Sequence, residues 1–179
     1  MKIINKKLFM TAIAIAIFTI FLDQINKWYM IEIFDIRSKS PVEVTPFFDL
    51  VMVWNRGISF GLFQSEYSIY IFTVLSTSIV LVLLFWLKNN EKKLVALALG
   101  FMIGGALGNV IDRLHYEAVA DFFYFHIGDN YFPAFNIADS AVFIGACMLI
   151  IDSLFFDKDE NKNKKDENKG NNNESNLKD

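Results

Sequence analysis

The chain has 179 residues, of which 54% are hydrophobic and 16% aromatic, with 21% charged and a formal net charge of −3. That length fits a single domain, and nothing in it is basic enough for a nucleic-acid binder. Nineteen phenylalanines argue against a soluble enzyme and a lone cysteine, Cys147, rules out an internal disulfide, which leaves a small polytopic membrane protein.

A bilayer crossing takes roughly 20 mostly apolar residues. The first candidate covers about 8–28, with Lys2, Lys6 and Lys7 ahead of it and Asp23 and Lys27 drawn into its far end. It starts like a signal peptide, yet the run ends in Phe21-Leu22-Asp23-Gln24 with no small-residue cleavage site, so retention as an anchor is expected. Next, Val42-Glu43-Val44 and residues 48–54 alternate apolar and polar, with Pro41 and Pro46 as breakers. This pattern predicts short strands at the membrane surface. Residues 67–87 and 94–111 are uncharged and give the two clearest spans, and 137–156 gives a fourth with Asp139 and Asp152 near its ends. Glycines 100, 104, 105 and 108 line the third span at the spacing of close helix packing. Residues 157–179, with seven acidic, six basic and seven Asn side chains, cannot bury enough apolar surface to fold. The chain thus reads as one four-span domain, 1–156, and a disordered polar tail.

Lysines near the span ends set the orientation. Lys2, Lys6 and Lys7, then Lys88, Lys92 and Lys93, then Lys158, Lys162, Lys164 and Lys165 all fall on one side after four crossings. Both termini are therefore expected to be cytoplasmic, with 24–66 and 112–136 facing outward.

Ionisable groups at membrane depth are costly and are default functional candidates. Here they gather at the outer ends of the spans: Asp23; Asn109, Asp112 and Arg113; Asn136 and Asp139; and Asp121 in the second outer connection. Several have structural readings. Asp112 beside Arg113 fits an interfacial ion pair, Asp23 fits an anchor through Lys27 four residues on, and Asp152 lies among lysines at the other end. Asp121 and Asp139 differ, being flanked by apolar residues with no cation nearby in sequence. Two facing carboxylates share one proton, which suits water-mediated peptide hydrolysis. It suits a proton or ion relay as well, and a non-enzymatic adaptor using the glycine-lined helix is a third reading. Other chemistries are poorly supplied. His115 and His126 are the only histidines and have no metal-ligand spacing, Cys147 sits mid-span as a small apolar residue, and serine hydrolase signatures are absent.

Five blocks then occur in order: Asp23-Gln24-Ile25-Asn26-Lys27; Asn55-Arg56-Gly57-Ile58-Ser59-Phe60-Gly61; Gly104-Gly105-Ala106-Leu107-Gly108-Asn109-Val110-Ile111-Asp112-Arg113; Val119-Ala120-Asp121-Phe122; and Phe135-Asn136-Ile137-Ala138-Asp139-Ser140. Together they resemble the lipoprotein signal peptidases, the bacterial type II signal peptidases. The resemblance implies an all-α polytopic membrane protein of four transmembrane helices, with a small extracytoplasmic β-cradle between helices 1 and 2. It implies an aspartic endopeptidase of the bacterial inner or cytoplasmic membrane that cleaves prolipoproteins before a diacylglyceryl-modified cysteine. By position, the catalytic pair matches Asp121 and Asp139. The residues holding the substrate backbone match Asn55, Asn109, Arg113 and Asn136, and a supporting role falls to Asp23, Lys27 and Asp112. Implied partners are lipid-modified prolipoproteins, membrane lipids and globomycin-type inhibitors, with no nucleic acid, metal or other cofactor. Ser59 departs from the alanine common at its position, a small change that puts no catalytic role in doubt.

Overall fold

A computed structural model describes residues 5–57, 67–128 and 130–156. Ser59, the second motif block beyond Gly57, and the polar tail lie outside the described residues.

Among the described residues, four helices are long and apolar enough to cross a membrane. Helix α1 (Lys6–Trp28) is capped by Asn5, whose side chain accepts from the Leu8 amide, and it continues through a π-helical turn, Tyr29–Ile33. A one-turn helix α2 (Ile36–Lys39) follows. Helices α3 (Ser68–Lys88) and α4 (Lys93–Tyr116) are joined by a short link. Helix α5 (Ile137–Ile151) ends in a second π turn, Asp152–Phe156. The first and third crossings run past their apolar stretches, because buried partners compensate the polar residues at their ends.

Helix α4 lies centrally and packs on α1, α3 and α5. Between helices in lipid the hydrophobic drive is weak, so close backbone approach through small residues does the holding. A methyl group on Gly100 or Gly104 would come within 2.7 Å of the Ala12 or Ala16 carbonyl oxygen of α1. Gly105 meets the Ala138 carbonyl of α5 in the same way, and Gly145 of α5 returns the contact against Ala98. Beside these seams Ala12, Ala16, Val80, Leu83, Leu87, Val95, Leu99 and Ile103 form one apolar core.

The end of the bundle holding the C-termini of α1 and α4 carries a four-stranded antiparallel sheet in the order β1 (Val42–Thr45), β2 (Phe48–Asn55), β3 (Val119–Ile127), β4 (Asn130–Tyr131). The first two strands lie where alternation placed them. The other two correct the expected architecture: the fold is not all-α apart from a cradle between the first two spans, since half the sheet comes from the connection between α4 and α5. Strand β3 shows no alternation because its first four residues, 119–122, are all buried, and a strand covered on both faces has no period-2 signature.

Two devices join the sheet to the helices. Ala120 and Phe122 of β3 pack with Met30 and Ile31 of the first π turn and with Ile36. Phe135, just before α5, exchanges backbone hydrogen bonds with Phe123, donating at 3.1 Å and accepting at 2.9 Å. The start of α5 is thereby held against the strand that carries Asp121. At the opposite end of the bundle Lys92 lies 3.3 Å from Asp152.

Candidate active site

Five elements bring their polar residues together where the sheet meets the bundle. On α1, Asp23 and Lys27 are one turn apart and extend the buried stripe of Ala12, Ala16 and Thr19. On α4, Asn109, Asp112 and Arg113 share a face at spacings of three and four. On the sheet, Asp121 pairs with Val53, and Asn55, two residues beyond Val53 on the same face, is its diagonal neighbour. On α5, Asn136 is the N-cap and Asp139 the third residue of a capping box: the Asn136 side chain accepts from the Asp139 amide at 2.9 Å and Asp139 Oδ2 accepts from the Asn136 amide at 3.2 Å.

Asn136, fully buried, links the two candidate acids. Its Nδ2 donates to Asp121 Oδ1 at 2.7 Å, while its main-chain amide serves Asp139. The other oxygen of Asp121 accepts from Asn55 Nδ2 at 3.1 Å, and the other oxygen of Asp139 accepts from Asn109 Nδ2 at 2.8 Å. Asn55 Oδ1 in turn accepts from the Gly57 amide, which fixes which end of its amide faces Asp121. Arg113 donates to the Asn109 carbonyl at 3.3 Å and lies within electrostatic reach of Asp139, Asp112 and Asp121.

Below this layer lies a buried ion triad. Lys27 Nζ is 2.7 Å from Asp23 Oδ2 and 2.7 Å from Asp112 Oδ2, with all three residues 0–1% exposed. Asp112 was expected to pair with its neighbour Arg113. It pairs instead with Lys27, because adjacent residues on a helix point about 100° apart while a lysine on the facing helix reaches straight across. Gln24 is the residue that sequence reasoning passed over. Its Nε2 lies 2.9 Å from Asp112 Oδ1, 3.2 Å from Asp23 Oδ2 and 3.3 Å from the Gly108 carbonyl. Its place beside Asp23 in the first motif block was the available signal.

Asp121 is 1% exposed. Burial, and secondarily the negative charge of Asp139, push its carboxyl up to about 7, against the opposing effects of the Asn55 and Asn136 hydrogen bonds and of Lys27. The histidines take no part in this network: His126 Nε2 faces Asp49 across the sheet at 3.3 Å, and the His115 ring lies edge-on to Tyr116.

Residues 15–155 match the profile of the family described as Signal peptidase (SPase) II. The lipoprotein signal peptidase of Beijerinckia indica subsp. indica is 47% identical over 135 residues, 74% of this chain and 81% of that protein. That of Methylocella silvestris is 39% identical over 143 residues, covering 79% and 84%. Among solved structures, a bacterial membrane enzyme determined by the in meso method at 1.9 Å superposes with a TM-score of 0.70 at 30% identity, covering 82% of this chain and 94% of the other. A second, at 2.3 Å, gives 0.68 at 30% identity, covering 80% and 87%. Four span-length helices and these neighbours make the chain a multi-pass membrane protein. With matches running from the first helix to the end of the last, the chain belongs to the signal peptidase II family, and is by that membership a peptidase.

Proposed function

We propose that this protein is an aspartic endopeptidase that removes the signal peptide from prolipoproteins, cutting before a diacylglyceryl-modified cysteine with Asp121 and Asp139 as its catalytic pair. The observation that carries the reading is the bridge made by Asn136, which serves both carboxyl groups at once from the start of α5. Homology supplies the substrate class: the curated relatives bear the name lipoprotein signal peptidase.

The division of labour follows from the surroundings of each acid. Asp139 sits in the first turn of α5, where the positive end of the helix dipole favours a negative charge. Asp121, with its carboxyl raised to about 7, carries the shared proton. Asp139 takes a proton from water as the water oxygen bonds to the scissile carbonyl carbon, and Asp121 gives its proton to the carbonyl oxygen. Collapse of the resulting diol breaks the C–N bond. Asp139 hands its proton to the departing nitrogen, and a diol hydroxyl returns one to Asp121, restoring the starting state. Asn55, Asn109, Arg113 and Asn136 are the donors that fix the acids and meet the substrate backbone. With both termini cytoplasmic, the site stands at the outer face of the bacterial inner or cytoplasmic membrane, on residues 1–156. There the lipid on the cysteine keeps its acyl chains in the bilayer while the peptide bond reaches the acids. A globomycin-type peptide would occupy the same place.

The test is cleavage of a diacylglyceryl-modified precursor peptide by purified protein in detergent, run beside the same peptide without lipid. Cleavage of the lipidated peptide alone is the expected result; equal cleavage of both overturns the substrate assignment. A second expectation concerns pH. Asp121 must be protonated in the free enzyme, so kcat/KM should fall on the alkaline side of about pH 7. The same proton affects stability. Because the folded value lies above the ordinary 3.8, the contribution of Asp121 is complete below 3.8 and is lost as pH rises through about 7. A flat pH profile for kcat/KM between 5 and 9 (about two units either side) would exclude Asp121 as proton carrier.

A further inference from the structure

We propose that Asp23, Lys27 and Asp112, with Gln24, form a positioning clamp that sets where the two catalytic acids stand by holding the main-chain amide immediately before each of them. Asp23 Oδ1 accepts from the Ala138 amide at 2.9 Å, one residue before Asp139. Asp112 Oδ2 accepts from the Ala120 amide at 3.1 Å, one residue before Asp121. The two grips are alike although they come from different helices and hold different kinds of element, a helix start and a strand. A single ammonium joins them, since Lys27 lies 2.7 Å from Asp23 Oδ2 and 2.7 Å from Asp112 Oδ2. Gln24 ties the same two carboxylates a second time, at 3.2 and 2.9 Å.

The gripped residues have no freedom of their own. Ala120 and Ala138 are both 0% exposed, and Gly108 presses on Asp23 so closely that an added methyl would sit 2.6 Å from Asp23 Oδ2. The third Lys27 contact reaches Asn109 Oδ1 at 3.3 Å. Because that oxygen also accepts from Asn136 Nδ2, the Asn109 amide group is turned with its Nδ2 toward Asp139. Lys27 therefore acts on Asp139 through both Asp23 and Asn109, and on Asp121 through Asp112. None of the clamp side chains is assigned a contact with the reacting atoms, so their role is to position.

This inference rests on the dyad reading above, and the experiment separates the two. Asp23→Asn and Asp23→Leu both remove the charge and leave Lys27 a one-to-one pair with Asp112, but only Asn keeps an acceptor for the Ala138 amide. With the lipidated precursor peptide, Asp23→Leu should lower kcat about 100-fold, the scale of a misplacement of roughly 1 Å. KM should hold within about threefold and Asp23→Asn should recover about tenfold or more of the loss. Asp112→Asn and Asp112→Leu should behave in the same way. Melting temperature and gel filtration report folding for each variant. Should both Leu variants fail to fold, Gln24→Leu decides, because it removes no charge: kcat should fall about tenfold at constant KM. Equal losses in the Asn and Leu variants, or an unchanged kcat in folded Leu variants or in Gln24→Leu, overturns the clamp. Asp121→Asn is measured alongside; if it turns over like wild type, the dyad reading has failed, whatever the clamp variants do.

Discussion

Asp121→Asn and Asp139→Asn should each lower turnover of the lipidated precursor by about a thousandfold or more, the scale of removing a general acid or base, while leaving a folded protein. Asparagine matches aspartate in shape but neither accepts a proton from water nor passes one on. At position 121 it places an amide opposite two donors, Asn136 Nδ2 and Asn55 Nδ2, so one hydrogen bond is lost. Because Asp121 already carries the shared proton below about pH 7, the substitution removes no buried charge, and its cost is confined to that one bond. At position 139 the capping box loses charge but keeps an acceptor for the Asn136 amide. The melting temperature should therefore move by only a few degrees, about what a net change of 1 kcal/mol produces. Wild-type turnover in either variant would remove the chemistry on which the peptidase mechanism is built. Proton flux into proteoliposomes that needs Asp139, without peptide cleavage, would favour a relay.

Gly105→Ala should be strongly destabilising although it lies outside the polar site. Its methyl group would strike the Ala138 carbonyl oxygen and approach Val142 Cγ2 to 2.9 Å. The first of these is backbone in a helix and cannot rotate aside. Overpacking of this kind costs about 3 kcal/mol, and it should be visible as a lower melting temperature in detergent. Activity should suffer beyond that cost, because Ala138 precedes Asp139 and any retreat of α5 carries the acid away from Asp121. Alanine at position 128 serves as the comparison: Gly128 has nothing within 4 Å, although its φ of +56° carries its own strain. Equal stability of Gly105→Ala and wild type would show that the helix seam is looser than its contacts imply.

Much of this was legible in the chain, for physical reasons that can be named. Apolar runs with lysines at their ends announce membrane helices, since both features answer directly to the bilayer. The pairing of Asp23 with Lys27 could be read because four residues is one helical turn. Asp121 and Asp139 stood out as carboxylates among apolar neighbours with no cation close in sequence. What escaped was long-range. The second grip of Lys27, on Asp112, depends on how α1 meets α4, and the adjacency of Asp112 and Arg113 pointed the wrong way. Gln24 carries no charge and so drew no attention, though it contacts both carboxylates. Strand β3 was missed because burial on both faces erased its alternation.

The order of the elements has a consequence for biogenesis. Two members of the site, Asn136 and Asp139, arrive on α5, which follows the other described helices in chain order, and Asn136 is the residue that reaches Asp121. Ahead of it, Asp23 waits on α1 for the Ala138 amide of α5. A nascent chain with three helices threaded therefore holds one acid and half of its fastenings. On the proposed dyad reading, hydrolytic competence waits for the insertion of α5, so the membrane is spared a half-built protease.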